Sequence, residues 1–291
     1  MKNKTTYSRI IAGTMTWGSW GKQLPKKEMI GLMNHCLDLD ISTFDHADIY
    51  GGYTTEADFG AAFADSGIAR ENVQLISKCG IQFVCENRPK KLQHYQYDKK
   101  YIIASVEQSL KNLHTDYLDF LLLHRPSPLL DPQEVVEAIA QLREQGKIVD
   151  FGVSNFTPSQ IAVLETAIPV QGNQVEFSLP VHGAMNDGSL EDCMVHERLA
   201  MAWSPLGGFF KAEGEQAEKI RKVIAPMTEK YNASIDQLLL TWLLRHPAKI
   251  HPVVGTATPE RLADSIKALD IQMELEDWFE LLVASQGHPM A

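Results

Sequence analysis

The feature that most constrains the fold of this chain is its rhythm. Short apolar runs at residues 9–15, 41–44, 73–77, 118–123, 148–153, 170–175, 200–204 and 251–254 read as buried strands. Longer amphipathic stretches separate them, at 26–39, 54–65, 99–113, 132–144, 157–166, 190–197, 216–231 with 234–245, and 259–268. Strands joined by helices pair in parallel through right-handed crossovers. Eight such units in 291 residues predict one closed (β/α)8 (TIM) barrel over 1–291. A further amphipathic stretch at 274–285 predicts an extra C-terminal helix. The rival, a doubly wound open sheet, carries a Gly-rich phosphate turn after its first strand. Here that turn is Ala12-Gly13-Thr14-Met15-Thr16-Trp17-Gly18, which does not fit G-x-G-x-x-G. Helix starts are marked at Asp131-Pro132, Thr157-Pro158 and Thr258-Pro259-Glu260, each a capping residue before a proline.

In a barrel of this kind, polar residues at the C-terminal ends of strands are placed for chemistry. Asp45 follows the second strand, Lys78 ends the third, His124 ends the fourth, and Tyr50 lies in the loop just after Asp45. Reducing a carbonyl with hydride builds negative charge on oxygen, so an acid must protonate it. A tyrosine is a weak acid, with an ordinary pKa of about 10, and a neighbouring ammonium favours its phenolate. Lys78 can supply that ammonium, Asp45 can hold it charged, and neutral His124 can donate a hydrogen bond to the substrate oxygen. Each residue also has a plain structural reading: Lys78 and Asp45 as a rim ion pair, His124 as a strand-end cap, Tyr50 as packing. Four complementary roles at successive strands favour the chemical reading.

Composition narrows the partners. Thirty-seven acidic against 27 basic residues give a net charge of −10. Nucleic acid is therefore not an expected partner, since phosphate backbones need a basic face. No apolar run is long enough to cross a bilayer, and the polar start Met1-Lys2-Asn3-Lys4 is unlike a signal peptide, so a cytoplasmic protein is expected. Cys36, Cys79, Cys85 and Cys193 are scattered, so free thiols and no metal site are expected.

The segment Asp45-His46-Ala47-Asp48-Ile49-Tyr50-Gly51 resembles the catalytic-acid motif of the aldo-keto reductase superfamily, and Leu121-Leu122-Leu123-His124-Arg125-Pro126 its histidine motif. Four further segments resemble that family's cofactor-binding stretches: 152–156, 173–178, 203–207 and 252–261. The resemblance runs nearly the whole length of the chain. It implies a carbonyl reductase using a nicotinamide cofactor, because no side chain donates hydride.

Within those stretches Ser154, Asn155 and Gln174 suit the carboxamide of the nicotinamide, which offers a donor and an acceptor. Trp203 offers a flat face for stacking. The turn containing Ser204, Leu206 and Gly207 brings backbone donors to a pyrophosphate. Gly255, Thr256 and Thr258 open the last barrel helix, whose N-terminus suits phosphate, and Arg261 can clamp an adenosine 2′-phosphate. Many family members have lysine where Gly255 stands and asparagine where Ser265 stands. Both departures weaken, without removing, the expected preference for NADP (as NADPH) over NAD.

Two other readings remain open at this level. The chain could be an NADP(H)-binding auxiliary or sensor subunit with little turnover, as some relatives of this fold are. Alternatively, Lys78 could form a Schiff base, as in barrel aldolases. Specificity for a small-molecule carbonyl substrate is expected in Trp17, Trp20, the long segment 80–99 with Phe83, Tyr95 and Tyr97, and the tail 286–291. Lys90 and Lys91 read as solvated surface, and a monomer is expected.

Overall fold

The computed structural model describes residues 6–291. The eight barrel strands are β1 (Ile11–Gly13), β2 (Thr43–Asp45), β3 (Gln74–Cys79), β4 (Leu118–Leu123), β5 (Ile148–Ser154), β6 (Gly172–Glu176), β7 (Leu199–Trp203) and β8 (His251–Val254). They pair in parallel, each with its sequence neighbours, and β8 closes on β1. The chain is thus a closed (β/α)8 barrel.

The intervening helices are α1 (Lys26–Asp38), α2 (Thr55–Asp65), α3 (Lys99–Leu113), α4 (Pro132–Glu144), α5 (Pro158–Glu165), α6 (Ser189–Val195), α7 (Glu215–Tyr231), α8 (Ile235–Leu244) and α9 (Pro259–Lys267). The extra C-terminal helix is α10 (Leu275–Gln286). Asp131 and Thr157 cap α4 and α5 through their side chains, ahead of Pro132 and Pro158.

Inward residues Ile11, Ile76, Phe120, Leu122, Met201 and Val253 fill the barrel, so its interior is a packed core. Outward residues of β1–β5 pack under α1–α5, and those of β6 and β7 under α6–α8 and α10. Trp242 of α8 and Trp278 of α10 stack at 4.9 Å, and each indole N–H donates to the other's backbone carbonyl. That pairing is why the extra helix docks rather than frays.

The first strand is shorter than its apolar run, because Trp17 N–H bonds back to the Thr14 carbonyl and turns the chain into the loop before α1. The segment after β3 is not structureless. Ile81–Gln82 and His94–Tyr95 pair antiparallel, and a tight turn links Cys85 and Arg88. Among the described residues no helix is long and apolar enough to cross a membrane, and no cluster of three or more His, Cys, Asp or Glu is arranged to hold a metal ion.

Candidate active site

Parallel register aligns the strand ends. Gly13 pairs with Asp45, Lys78 with Leu122, Ser154 with Gln174, and Glu176 with Trp203. Ladder-like bonds run past the strands, with His46 N–H to the Ile76 carbonyl, Asp48 N–H to Lys78 and His124 N–H to Cys79. This backbone grid fixes the side chains that emerge from it.

Lys78 is 1% exposed, yet it is a charged amine. Its Nζ donates to Asp45 Oδ2 at 2.7 Å, the His46 carbonyl at 2.8 Å and the Tyr50 hydroxyl at 3.1 Å. Three acceptors saturate an ammonium, the condition for burying one. Burial pushes its pKa down, but Asp45 and Tyr50 outweigh burial and the net shift is upward. Lys78 is therefore a fixed positive charge.

Tyr50 reaches this ammonium because Gly51 and Gly52 turn the backbone left-handed, at φ of 63° and 66°, directly after it. Burial raises the Tyr50 hydroxyl above its ordinary pKa, and Lys78 pulls against burial without reversing it. The expected lowering by Lys78 is thus present but not dominant, and the phenol keeps its proton throughout the neutral range. The His124 ring lies 6.3 Å from that of Tyr50, nearly perpendicular to it. Burial, then Lys78 and Arg125, hold His124 well below its ordinary pKa, so it is neutral. Its Nδ1 has no partner among the described residues.

The other strand-end residues fall into three groups. In the first, Asn155 Nδ2 donates to Ser154 Oγ at 2.8 Å, and Asn155 Oδ1 accepts from the Trp203 indole at 2.9 Å. Asn155 adopts a left-handed φ of 61°, which asparagine tolerates best among non-glycine residues. Gln174 Nε2 donates to Asp45 Oδ1 at 2.9 Å, so the amide nitrogen steadies the carboxylate that holds Lys78, while its Oε1 accepts from no described residue.

In the second group, Gly207 N–H closes a turn on the Ser204 carbonyl at 2.7 Å. The N–H groups of Leu206 and Gly208 have no acceptor among the described residues. In the third, the Gly255 and Thr256 carbonyls are tied to Thr16 and Trp17, and the Thr258 side chain caps no backbone N–H of α9. Arg261 lies exposed one turn in. These features suit a nicotinamide dinucleotide: amides at one end, open backbone donors in the middle, a helix N-terminus with a free arginine at the other. Ser265 is buried and bonds back to the Arg261 carbonyl, so it is not aimed at a ligand.

Two cations escaped the sequence reading. Lys22 Nζ reaches Thr258 Oγ1 at 3.0 Å, from 236 residues away in sequence. Arg125 lies with its guanidinium 5.1 Å over the Trp203 ring. Its position directly after a strand-end histidine was the available signal.

The mouth wall is partly as expected. Trp20 packs on Tyr50 at 6.2 Å and on Phe83 at 5.2 Å. Tyr95 is exposed, as are Lys90 and Lys91. Trp17, by contrast, is fully buried with its indole bonded to Thr256, so it belongs to the scaffold. Tyr97 is also buried, bonding the backbone of Arg125 from below. The C-terminal tail leaves α10 beside the loop after β6, where Ser285 bonds the Leu179 carbonyl.

Comparison with known proteins agrees with this geometry. Residues 9–282 match the model of the aldo/keto reductase family. The chain is 42% identical to an uncharacterized oxidoreductase, YcsN, of Bacillus subtilis, over 97% of this chain and 95% of that protein. It is 34% identical to a 6-dehydroglucose reductase of Agrobacterium fabrum, over 100% of this chain and 98% of that protein. Among solved structures it resembles the thermostable aldo-keto reductase Tm1743, with a TM-score of 0.78 and 27% identity over 97% of both chains. With its barrel, its strand-end residues and these likenesses together, the chain belongs to the aldo/keto reductase family, NAD(P)H-dependent oxidoreductases of carbonyl compounds.

Proposed function

We propose that the protein reduces an aldehyde or ketone to the alcohol with NADPH, and that Tyr50 is the acid. When bound, the cofactor supplies the hydride that adds to the carbonyl carbon. As charge develops on the carbonyl oxygen, the Tyr50 O–H bond breaks and its proton passes to that oxygen. The phenolate left behind is stabilised by Lys78 and recovers its proton from solvent. Asp45, steadied by Gln174, keeps Lys78 in place. Neutral His124 donates a hydrogen bond to the carbonyl and orients it. Ser154, Asn155, Gln174 and Trp203 hold the nicotinamide. Ser204, Leu206 and Gly207 face the pyrophosphate, and Gly255, Thr256, Thr258 and Arg261 face the adenosine phosphate. Arg261, with Lys22 beside Thr258, supports NADPH over NADH.

The observation that carries this reading is the buried Lys78 ammonium, 2.7 Å from Asp45 and 3.1 Å from the Tyr50 hydroxyl. The reading takes the chain as one domain, a cytoplasmic monomer acting on a small molecule. Likeness to a 6-dehydroglucose reductase puts polar, sugar-derived carbonyls among the first to assay. Tyr50→Phe removes the transferable proton and keeps the ring. Its kcat for carbonyl reduction is expected to fall by about a thousandfold, with NADPH still quenching tryptophan fluorescence at near wild-type concentrations. Wild-type kcat in this variant would remove Tyr50 from the role of acid.

A further inference from the structure

Among the described residues, Arg125 is a cation in the Tyr50–Trp203 region that the protein leaves half-used. Lys78 is saturated by three oxygens. Arg125, by contrast, spends only Nη1, donating to the His124 carbonyl at 2.9 Å and to Ser154 Oγ at 3.3 Å. Its Nε and Nη2 hydrogens have no acceptor among the described residues, and no carboxylate lies within 4.0 Å of the group. A guanidinium whose Nε and Nη2 edge is open presents two parallel donors, the geometry that grips a carboxylate bidentately.

The group is also held in place. Tyr97 clamps the Arg125 backbone from below, its hydroxyl donating to the carbonyl at 2.5 Å and accepting from the N–H at 3.1 Å. Room for that ring comes from Gly80, at φ 117°, where an added Cβ would stand 2.0 Å from Tyr97 Cε1. Trp203 supports the guanidinium face at 5.1 Å. The charge acts at the reacting centre, since it helps hold His124 neutral after burial and Lys78.

Resting on the reductase reading above, we propose that Arg125 receives a carboxylate of the substrate, so that the preferred substrates are aldehydes or ketones bearing a carboxylate. One uncompensated positive charge matches a monoanion. Asp45 already balances Lys78. A phosphate dianion would need a second free cation, which the described residues on this side of the mouth do not offer.

The test uses two matched pairs of aldehydes: succinate semialdehyde and its neutral amide, and 4-carboxybenzaldehyde and its neutral amide. Wild-type protein is expected to show higher kcat/KM for the acid of at least one pair. Arg125→Gln should lower that acid-over-amide ratio by about tenfold or more, chiefly through KM. Arg125→Lys, which keeps the charge but loses the fork, should recover part of it. NADPH affinity, read separately by fluorescence, should move much less than the ratio. An unchanged ratio in both pairs, or a loss confined to NADPH affinity, overturns the proposal. If wild-type protein reduces none of the four, the reductase reading is tested separately on sugar-derived carbonyls and by Tyr50→Phe. Benzoate binding, read by tryptophan fluorescence, then decides for Arg125: weaker binding in Arg125→Gln supports it, and equal binding overturns it.

Discussion

The two poles of the barrel treat charge in opposite ways. At the N-terminal pole Arg198 is buried and fully used. It bonds Glu165 through both terminal nitrogens, at 2.7 and 2.6 Å, Asp192 through Nε at 2.8 Å, and the Val170 carbonyl. Nearby, Tyr7 bonds Asp150 at 2.8 Å and Arg143 bonds Gln171 at 3.0 Å. At the C-terminal pole Arg125 keeps an open edge, and among the described residues His124 Nδ1 and the Leu206 and Gly208 N–H groups have no partner. The N-terminal pole nevertheless holds a cavity of about 1220 Å³, lined by Arg198, Asp150 and His251. Arg198 is completed by the protein itself, whereas the open donors at the C-terminal pole are the ones the proposed ligands would complete.

The largest test of that contrast is Arg198→Met. It leaves Glu165 and Asp192 without a counter-charge and is expected to cost about 3 kcal/mol, read from urea midpoints at pH 7. Arg198, ahead of the opposing burial, holds the Glu165 carboxyl below its ordinary pKa. The stabilisation is thus present above the unfolded pKa and lost as pH falls through the folded one. The difference between variant and wild type should shrink in acid. The kcat/KM of the folded fraction should not change. A loss of activity without loss of stability would break the division between the poles.

A smaller effect probes an incomplete group on the C-terminal side. Asp48 is buried, its Oδ2 accepts from Ser105 at 3.0 Å, and its Oδ1 has no partner among the described residues. Burial, then Glu56, push its pKa up to about 7, against Ser105 and Arg88. Glu56 faces it from α2, Tyr101 and Ser105 from α3, Cys79 from β3 and Arg88 from the segment after β3. A carboxyl whose folded pKa is raised contributes stability below its unfolded pKa, and that contribution is lost as pH rises through about 7. Asp48→Asn should therefore stabilise the protein at pH 8, by about 1–3 kcal/mol, and by little at pH 4. Equal gains at both values, read from melting curves, would mean that Asp48 does not titrate with a raised pKa.

The fold was legible because apolar runs and amphipathic stretches alternate with lengths that leave little choice. The Asp45, Tyr50 and Lys78 cluster was legible because polar residues at the ends of buried strands have nowhere else to point. What escaped depends on distance in sequence and on backbone shape. The bond from Gln174 to Asp45 spans 129 residues, and no local pattern in the sequence signals it. Tyr97 and Trp17 looked like pocket walls because aromatics in loops resemble one another until burial is known. Trp17 packs against Phe44 and Phe59 instead. Tyr97 depends on the missing Cβ of Gly80, a local fit that no periodicity signals.

Lys22 gives the smallest and sharpest test. The chain has Gly255 where many relatives carry lysine, so the phosphate end of the mouth lacks a cation on its own loop. Lys22 arrives there from the loop before α1, bonded to Thr258 at the start of α9, with Arg261 exposed one turn further. The Lys22 side chain is exposed, so its removal should change stability by no more than about 0.5 kcal/mol. If the two cations share the 2′-phosphate, Lys22→Ala should weaken NADPH by about threefold to tenfold and NADH much less, with Arg261→Ala doing the same. The double variant should then approach equal affinity for both cofactors, and raising salt should erode the wild-type preference in the same direction. Equal losses for NADPH and NADH in the Lys22 variant would move that lysine from the 2′-phosphate to the pyrophosphate. No loss for either would make it a surface residue, leaving Arg261 alone to account for any preference.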